Sequence, residues 1–252
     1  MKPTKLFFII IISTLLGNLS YTQTGKISRD KNWNPKGGKY FFSKKLTYTF
    51  TNDMAEVPHI RSGEFSIYVD EKSGTILFNR DSYGWSGEMV NFVIADKKGN
   101  YTFGYTDEFG KKYKEVLQSD QYKQIMRDKK KIRKEFTKYY KSTGKSKVFG
   151  ANDYDWPVMT AKEYEPTDQK STNTTKLYLA TTSYCLLAVY LFNTLKSEAK
   201  LPAHMLYANM VPEKYIVLGE ECIRNDKISS VTLKTASPAE HFLDINQYRI
   251  IK

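Results

Sequence analysis

From Tyr40 onward, hydrophobic and polar residues alternate in short runs separated by turn residues, the period-two mark of half-buried strands. In residues 63–70, Phe65, Ile67 and Val69 fall on one face and Ser66 and Tyr68 on the other. Asp70-Glu71-Lys72-Ser73-Gly74 then turns the chain into Thr75-Ile76-Leu77-Phe78, which predicts a hairpin. The alternation repeats over residues 89–95, reverses at Asp96-Lys97-Lys98-Gly99-Asn100 into 101–105, and reverses again at Asp107-Glu108-Phe109-Gly110 into 111–117. Each reversal pairs an Asp with a Gly that tolerates positive φ, and such short connections predict an antiparallel meander. Further strands are expected at 175–181, 214–218 and 227–235, with an extended ending at 248–251.

Two segments break this rhythm. Over residues 119–142, Tyr122, Ile125, Met126, Ile132, Phe136, Tyr139 and Tyr140 recur at three- and four-residue spacing, with Ser119 as N-cap and Gly144 beyond the end, which predicts one amphipathic helix. A second helix is expected over 184–200, capped by Ser183 and stopped at Leu201-Pro202. Its start, Cys185 to Phe192, is apolar on every side, so it belongs inside a fold. Ser237-Pro238-Ala239-Glu240 carries the N-cap, N1 and N3 residues of a capping box and predicts one short helical turn.

The N-terminus has a different texture. Lys2 and Lys5 precede an apolar run from Leu6 through Leu16, followed by Gly17, Asn18 and Ser20, the three-part layout of a secretory signal peptide over residues 1–22. The run falls short of the roughly 20 apolar residues that cross a membrane. No Cys follows it to carry a lipid. The expected location is therefore periplasmic or secreted. Residues 23–39 lack an apolar period and read as a flexible leader, and 40–252 as a single domain.

Charge sharpens the picture. Between Gln118 and Lys147 stand eleven Lys or Arg against Asp120, Asp128 and Glu135, a net +8 in a chain whose formal total is +12. The predicted helix thus combines a cationic face with an apolar one, a form that suits an anionic membrane surface or acidic polymer, and equally a surface helix packed on a sheet. Lys130, Arg133 and Lys134 are the candidate contacts to anionic headgroups. Export makes nucleic acid an improper physiological partner, although the charge alone would attract it. Cys185 and Cys222 are the two cysteines; an oxidising compartment permits a disulfide between them, and two buried thiols fit as well.

Catalytic chemistry finds little support. His59, His204 and His241 are far apart in sequence, and neither cysteine belongs to a Cys-x-x-Cys motif, so no zinc-type spacing exists. Gly84-Trp85-Ser86-Gly87 lacks the spacing of a nucleophile elbow and reads as a turn. Asp153 with Asp155 and Glu220 with Glu221 read as solvated loop acids, and Gly37-Gly38 has no following Lys-Ser/Thr for phosphate. No enzyme activity, metal or cofactor is expected.

The order of elements ends in Ser237-Pro238-Ala239-Glu240-His241-Phe242-Leu243-Asp244-Ile245-Asn246-Gln247-Tyr248. This order resembles the LolA-like superfamily of periplasmic lipoprotein carriers, although the Pro-Gly usual before the final Tyr is missing. The resemblance implies an incomplete antiparallel β-barrel whose concave face, covered by helices, holds acyl chains. The expected fold is therefore α+β: a curved antiparallel sheet, with the 184–200 helix on its concave face and the basic 119–142 helix at its edge. The expected function is binding of a lipid, a lipoprotein acyl chain or another apolar ligand. Phe65, Ile67, Val69, Leu187 and Leu191 would line the cavity and the basic helix would meet headgroups. A non-catalytic cell-envelope structural or interaction protein, docking through that helix to an anionic membrane surface or polysaccharide, is the alternative.

Overall fold

The computed structural model describes residues 33–53, 55, 61–83, 89–150, 158–168, 173–195, 197, 199–202 and 211–251. The expected signal peptide and most of the leader lie outside the described residues, as do His59, Gly84-Trp85-Ser86-Gly87, Asp153, Asp155 and His204. The elements belong to one unit, Asn34–Lys252.

Alternation does produce strands. β1 (Lys39–Asn52), β2 (Ser62–Asp70), β3 (Thr75–Asn79), β4 (Val90–Ala95), β5 (Asn100–Thr106) and β6 (Lys112–Gln118) form a meander, each pairing antiparallel with the next. β7 (Tyr140–Phe149), β8 (Met159–Pro166), β9 (Asn173–Thr181), β10 (Tyr215–Arg224) and β11 (Lys227–Asp244) form a second. The two join where β11 pairs with β1, and β12 (Arg249–Ile250) adds to β6. The resulting sheet runs β12-β6-β5-β4-β3-β2-β1-β11-β10-β9-β8-β7, curved and unclosed. It is mixed rather than purely antiparallel, because β12 lies parallel to β6. Among the described residues four short helices accompany it: α1 (Arg80–Tyr83), α2 (Asp120–Arg127), α3 (Lys129–Tyr139) and α4 (Leu187–Tyr190). The α+β class holds. Among the described residues no helix is long and apolar enough to cross a membrane.

The sheet buries both faces unequally. Leu46, Phe65, Ile67, Val69, Ile76, Phe78, Val93 and Phe103 belong to the main core, which also holds residues from α2, α3 and the 184–201 segment. Their neighbours in sequence, Leu77, Phe92 and Ile94, point the other way and join Phe42, Ile245 and Tyr248 in a small second cluster. Gly104 makes room there. A Cβ on it would overlap the ring of Phe92, which packs edge-on against Tyr248 at 5.0 Å.

Four local expectations are corrected. The 119–142 helix breaks at Asp128, whose φ of −101° and ψ of 29° leave the helical region, and it stops at Tyr139 because residues from Tyr140 on pair with β8. The 184–200 helix shrinks to α4 and a 3-10 turn, Phe192–Thr194. There, tertiary donors take the carbonyls a longer helix would use. Tyr101 Oη donates to Ala188 O at 2.7 Å, in place of the Phe192 N–H of a continued α-helix, and Lys200 Nζ donates to Asn193 O at 3.2 Å and to Leu195 O. The capping-box turn at 237–240 is instead part of β11: Ser237 pairs with Lys45 and Pro238 with Lys44. The ladder slips between Phe42 and Lys44, and Pro238, which has no N–H to give, sits beside that slip. Finally, residues 34–39 of the expected leader have packing partners. Pro35–Gly37 makes a 3-10 turn capped by Asn34, and Asn246 Nδ2 donates to Gly37 O at 2.8 Å.

Tyrosine hydroxyls secure the core's main chain. At the β10 bulge, Val217 N–H donates to Tyr190 Oη at 2.7 Å and Val217 O accepts from Tyr48 Oη at 3.3 Å. Burial raises Tyr48, Tyr101 and Tyr190 well above the ordinary tyrosine value, so each keeps the proton it donates or shields.

Candidate functional site

The basic surface is built from α2, α3 and β7. Ser119 starts α2: its hydroxyl accepts from Tyr122 N at 3.1 Å, and its own N–H donates to Gly99 O at 3.0 Å. Gly99, at φ 80°, lets the Tyr122 ring lie against the β4–β5 turn, and Tyr122 Oη reaches Lys97 O at 3.0 Å. Tyr122 and Ile125 of α2 and Phe136 of α3 are buried. Phe136 stacks on Tyr140 at 5.2 Å and meets Tyr164 edge-on at 5.4 Å. With the apolar stripe packed on the sheet, the cations must face solvent.

Lys129, at the start of α3, is half-buried, and the other ten cations divide into two groups. Lys123 pairs with Asp120 at 3.7 Å, Arg127 with Asp128 at 3.6 Å, Lys131 with Glu135 at 3.9 Å and Lys141 with Glu165 at 3.2 Å; Arg133 is bound to Glu213. Lys130, Lys134, Lys138, Lys145 and Lys147 are exposed and form no ion pair among the described residues. The first three recur every fourth residue, so they stand in one row along α3. Like charges at that spacing repel, and the row gains from a bound anion. The remaining two lie on β7, which ends the sheet and is exposed from Lys141 to Val148 except for the half-buried Thr143. Lys147 Nζ stands 5.4 Å above the Phe149 ring and 5.2 Å above that of Tyr178.

Of the predicted headgroup contacts, Lys130 and Lys134 are available and Arg133 is engaged by Glu213. Sequence reasoning missed Lys138, Lys145 and Lys147 as members of the group. The four-residue spacing from Lys130 to Lys138 was the signal for the first. For the β7 pair there was none, since a strand solvated on both faces shows no alternation.

The five predicted lining residues all belong to the main core and are buried in it. Phe65, Ile67, Val69, Leu187 and Leu191 are 1%, 0%, 0%, 2% and 0% exposed, which leaves them almost no surface that even a water molecule touches. Phe192 completes the packing, stacked on Phe78 at 4.4 Å with Tyr101 and Phe103 each at 6.2 Å. These positions form solid core in this structure rather than the wall of an open space.

The remaining chemical candidates among the described residues are Cys185, Cys222, Glu220, Glu221 and His241. Cys185 and Cys222 are free thiols, not a disulfide. Burial raises the Cys185 thiol above its ordinary value, away from the reactive thiolate. Glu220 and Glu221 are not loop acids: they are consecutive in β10 and so face opposite sides of the sheet, Glu220 buried. His241 lies against the Tyr68 and Phe42 rings at 4.8 and 6.2 Å. Among the described residues no three His, Cys, Asp or Glu side chains gather as metal ligands. Comparison with family models and with curated proteins finds no match to this chain.

Proposed function

We propose that this protein is a non-catalytic docking module of the cell envelope that engages an anionic surface through Lys130, Lys134 and Lys138, extended by Lys145 and Lys147. The observation that carries this reading is a row of three exposed cations that form no ion pair among the described residues, their nearest acid, Glu135, being paired with Lys131, on a helix whose apolar stripe is already spent on the sheet. A surface helix that only needed solubility would do as well with its lysines paired, as Lys131 is with Glu135. The test is co-sedimentation with vesicles of phosphatidylglycerol or phosphatidylcholine at low and high salt. Binding is expected only to the anionic vesicles, weakened by salt, and reduced at least tenfold by the triple change Lys130→Gln, Lys134→Gln, Lys138→Gln. Equal binding by the triple variant would reject the reading. Retention on an acidic polysaccharide column, with no vesicle binding, would assign the anion to surface polymer.

Carriage of a lipid or acyl chain, as the LolA-like resemblance suggests, is the second reading. It draws support from the cover of the main core, which is mostly irregular chain over an unclosed sheet, a cover that side-chain hydrogen bonds rather than a long helix hold in place. Extraction and mass spectrometry of protein purified under mild conditions tests it. A stoichiometric lipid would establish it, and an empty protein that stays empty after incubation with native lipids would end it.

A further inference from the structure

The basic face lies along α2, α3 and β7, but the β5–β6 end of the sheet presents the opposite chemistry. On β6 the residues alternate cleanly. Lys112 and Lys114 turn to the side of the second cluster, where Lys112 Nζ lies 2.7 Å from Gln247 Oε1 and 5.7 Å above the Tyr248 ring, and Lys114 Nζ donates to Ile245 O at 3.2 Å. Tyr113 and Glu115 therefore face the main-core side, directly across from Tyr105 and Phe103 of β5, whose rings stack at 6.2 Å. Beyond Phe103 the core stops and a pocket of about 410 Å³ opens, lined by Tyr105, Tyr113, Glu115, Asp107, Met89 and Ile251 among others.

Among the described residues the lining holds two carboxylates, two tyrosine rings, two apolar side chains and the hydroxyls of Thr106 and Ser197, and no cation. Asp107 Oδ1 closes its turn by accepting from Phe109 N at 3.0 Å and Lys111 N at 2.8 Å, while the Glu115 carboxylate has no hydrogen bond or ion pair among the described residues. Met89 and Ile251 are 52% and 48% exposed, so the apolar rim is open to a ligand. Neither acid forms an ion pair among the described residues, so in a chain of net charge +12 the lining is a local concentration of negative charge. Tyrosine faces attract cations by their quadrupole, and a nearby carboxylate adds charge, whereas an anion or a neutral molecule gains from neither.

We propose that this pocket binds a small organic cation, a quaternary or primary ammonium group held between the Tyr105 and Tyr113 rings and the Glu115 and Asp107 carboxylates, with its apolar part against Met89 and Ile251. The site is independent of the basic face, and either assignment stands without the other.

Choline and its uncharged isostere 3,3-dimethylbutan-1-ol, titrated into the full chain by calorimetry and NMR, test the proposal. Choline is expected to bind saturably and about tenfold more tightly than the isostere. Glu115→Gln and Tyr113→Leu should each weaken choline binding at least fivefold, with the thermal midpoint monitored for each. Asp107→Asn keeps the acceptor its turn requires, and is a further variant with the same expected direction. Changing Lys130, Lys134 and Lys138 to Gln should leave choline binding no weaker. The proposal is overturned if the unaltered protein shows no saturable binding up to about 100 mM, a limit far weaker than the millimolar affinities of simple sites. Equal affinity for the isostere, or unchanged affinity in folded Glu115→Gln and Asp107→Asn variants, overturns it as well.

Discussion

His241 stands on β11 against the rings of Tyr68 and Phe42, and its burial lowers its pKa from the ordinary 6.5. The folded protein therefore disfavours the imidazolium. Above about pH 6.5 the ring is neutral folded or unfolded and stability is complete; as pH falls below that value the unfolded chain takes up the proton first, and stability declines until the folded pKa is passed. Urea midpoints measured from pH 7.5 down to 5 should fall, and His241→Gln should flatten that part of the profile. At this scale the sequence was legible for direction but not for meaning. Alternation placed Phe65, Ile67 and Val69 on one buried face, as found, yet a period-two pattern reports which way a side chain points and not whether the space beyond it is full. Phe192, which packs in the same core against Phe78, Tyr101 and Phe103, comes from a segment with no periodicity to read.

Among the elements, α3 shows a conflict between local stability and charge. Lys134 has Lys130 four residues before it and Lys138 four after, and both pairs repel. Lys134→Glu turns two repulsions into two attractions. It should raise stability by about 0.5 kcal/mol at low salt, or 1–2 °C in a protein of this size, while reducing binding to anionic vesicles. A rise in the thermal midpoint that vanishes in high salt, with vesicle binding lost, is the expected pair of results. Elements with one buried face, β2 to β6, were readable because burial enforces alternation. β7 was not, since Lys141, Lys145 and Lys147 face solvent whichever way they point, and its first residues, through Ser142, read as the end of the preceding helix. The extension of β11 through Pro238 was hidden for another reason: the capping-box residues are a local signal, and thirteen pairings with β1 outweigh it. A missed but available signal was Asn225-Asp226, whose φ values of 49° and 64° make the two-residue turn of the β10–β11 hairpin.

For the whole molecule, the route of the chain matters more than any element. From β1 the chain builds outward to β6, crosses by α2 and α3, roughly 30 Å of helix, to β7 at the far end, and then builds back to β11 beside β1. Each half is made of local hairpins, and the β1–β11 ladder, the pairing of β12 with β6, the helices and the shared core hold them together. A chain ending at residue 226 should therefore form its two meanders but aggregate through the open edges of β1 and β10, and a peptide covering 227–252 added in trans should restore solubility, as measured by light scattering. The same seam gives the protein a timetable. As the polypeptide leaves the ribosome, β1 is among the first strands made, yet its second neighbour is nearly the last, so for most of synthesis the middle of the future sheet is a raw border that a chaperone must guard.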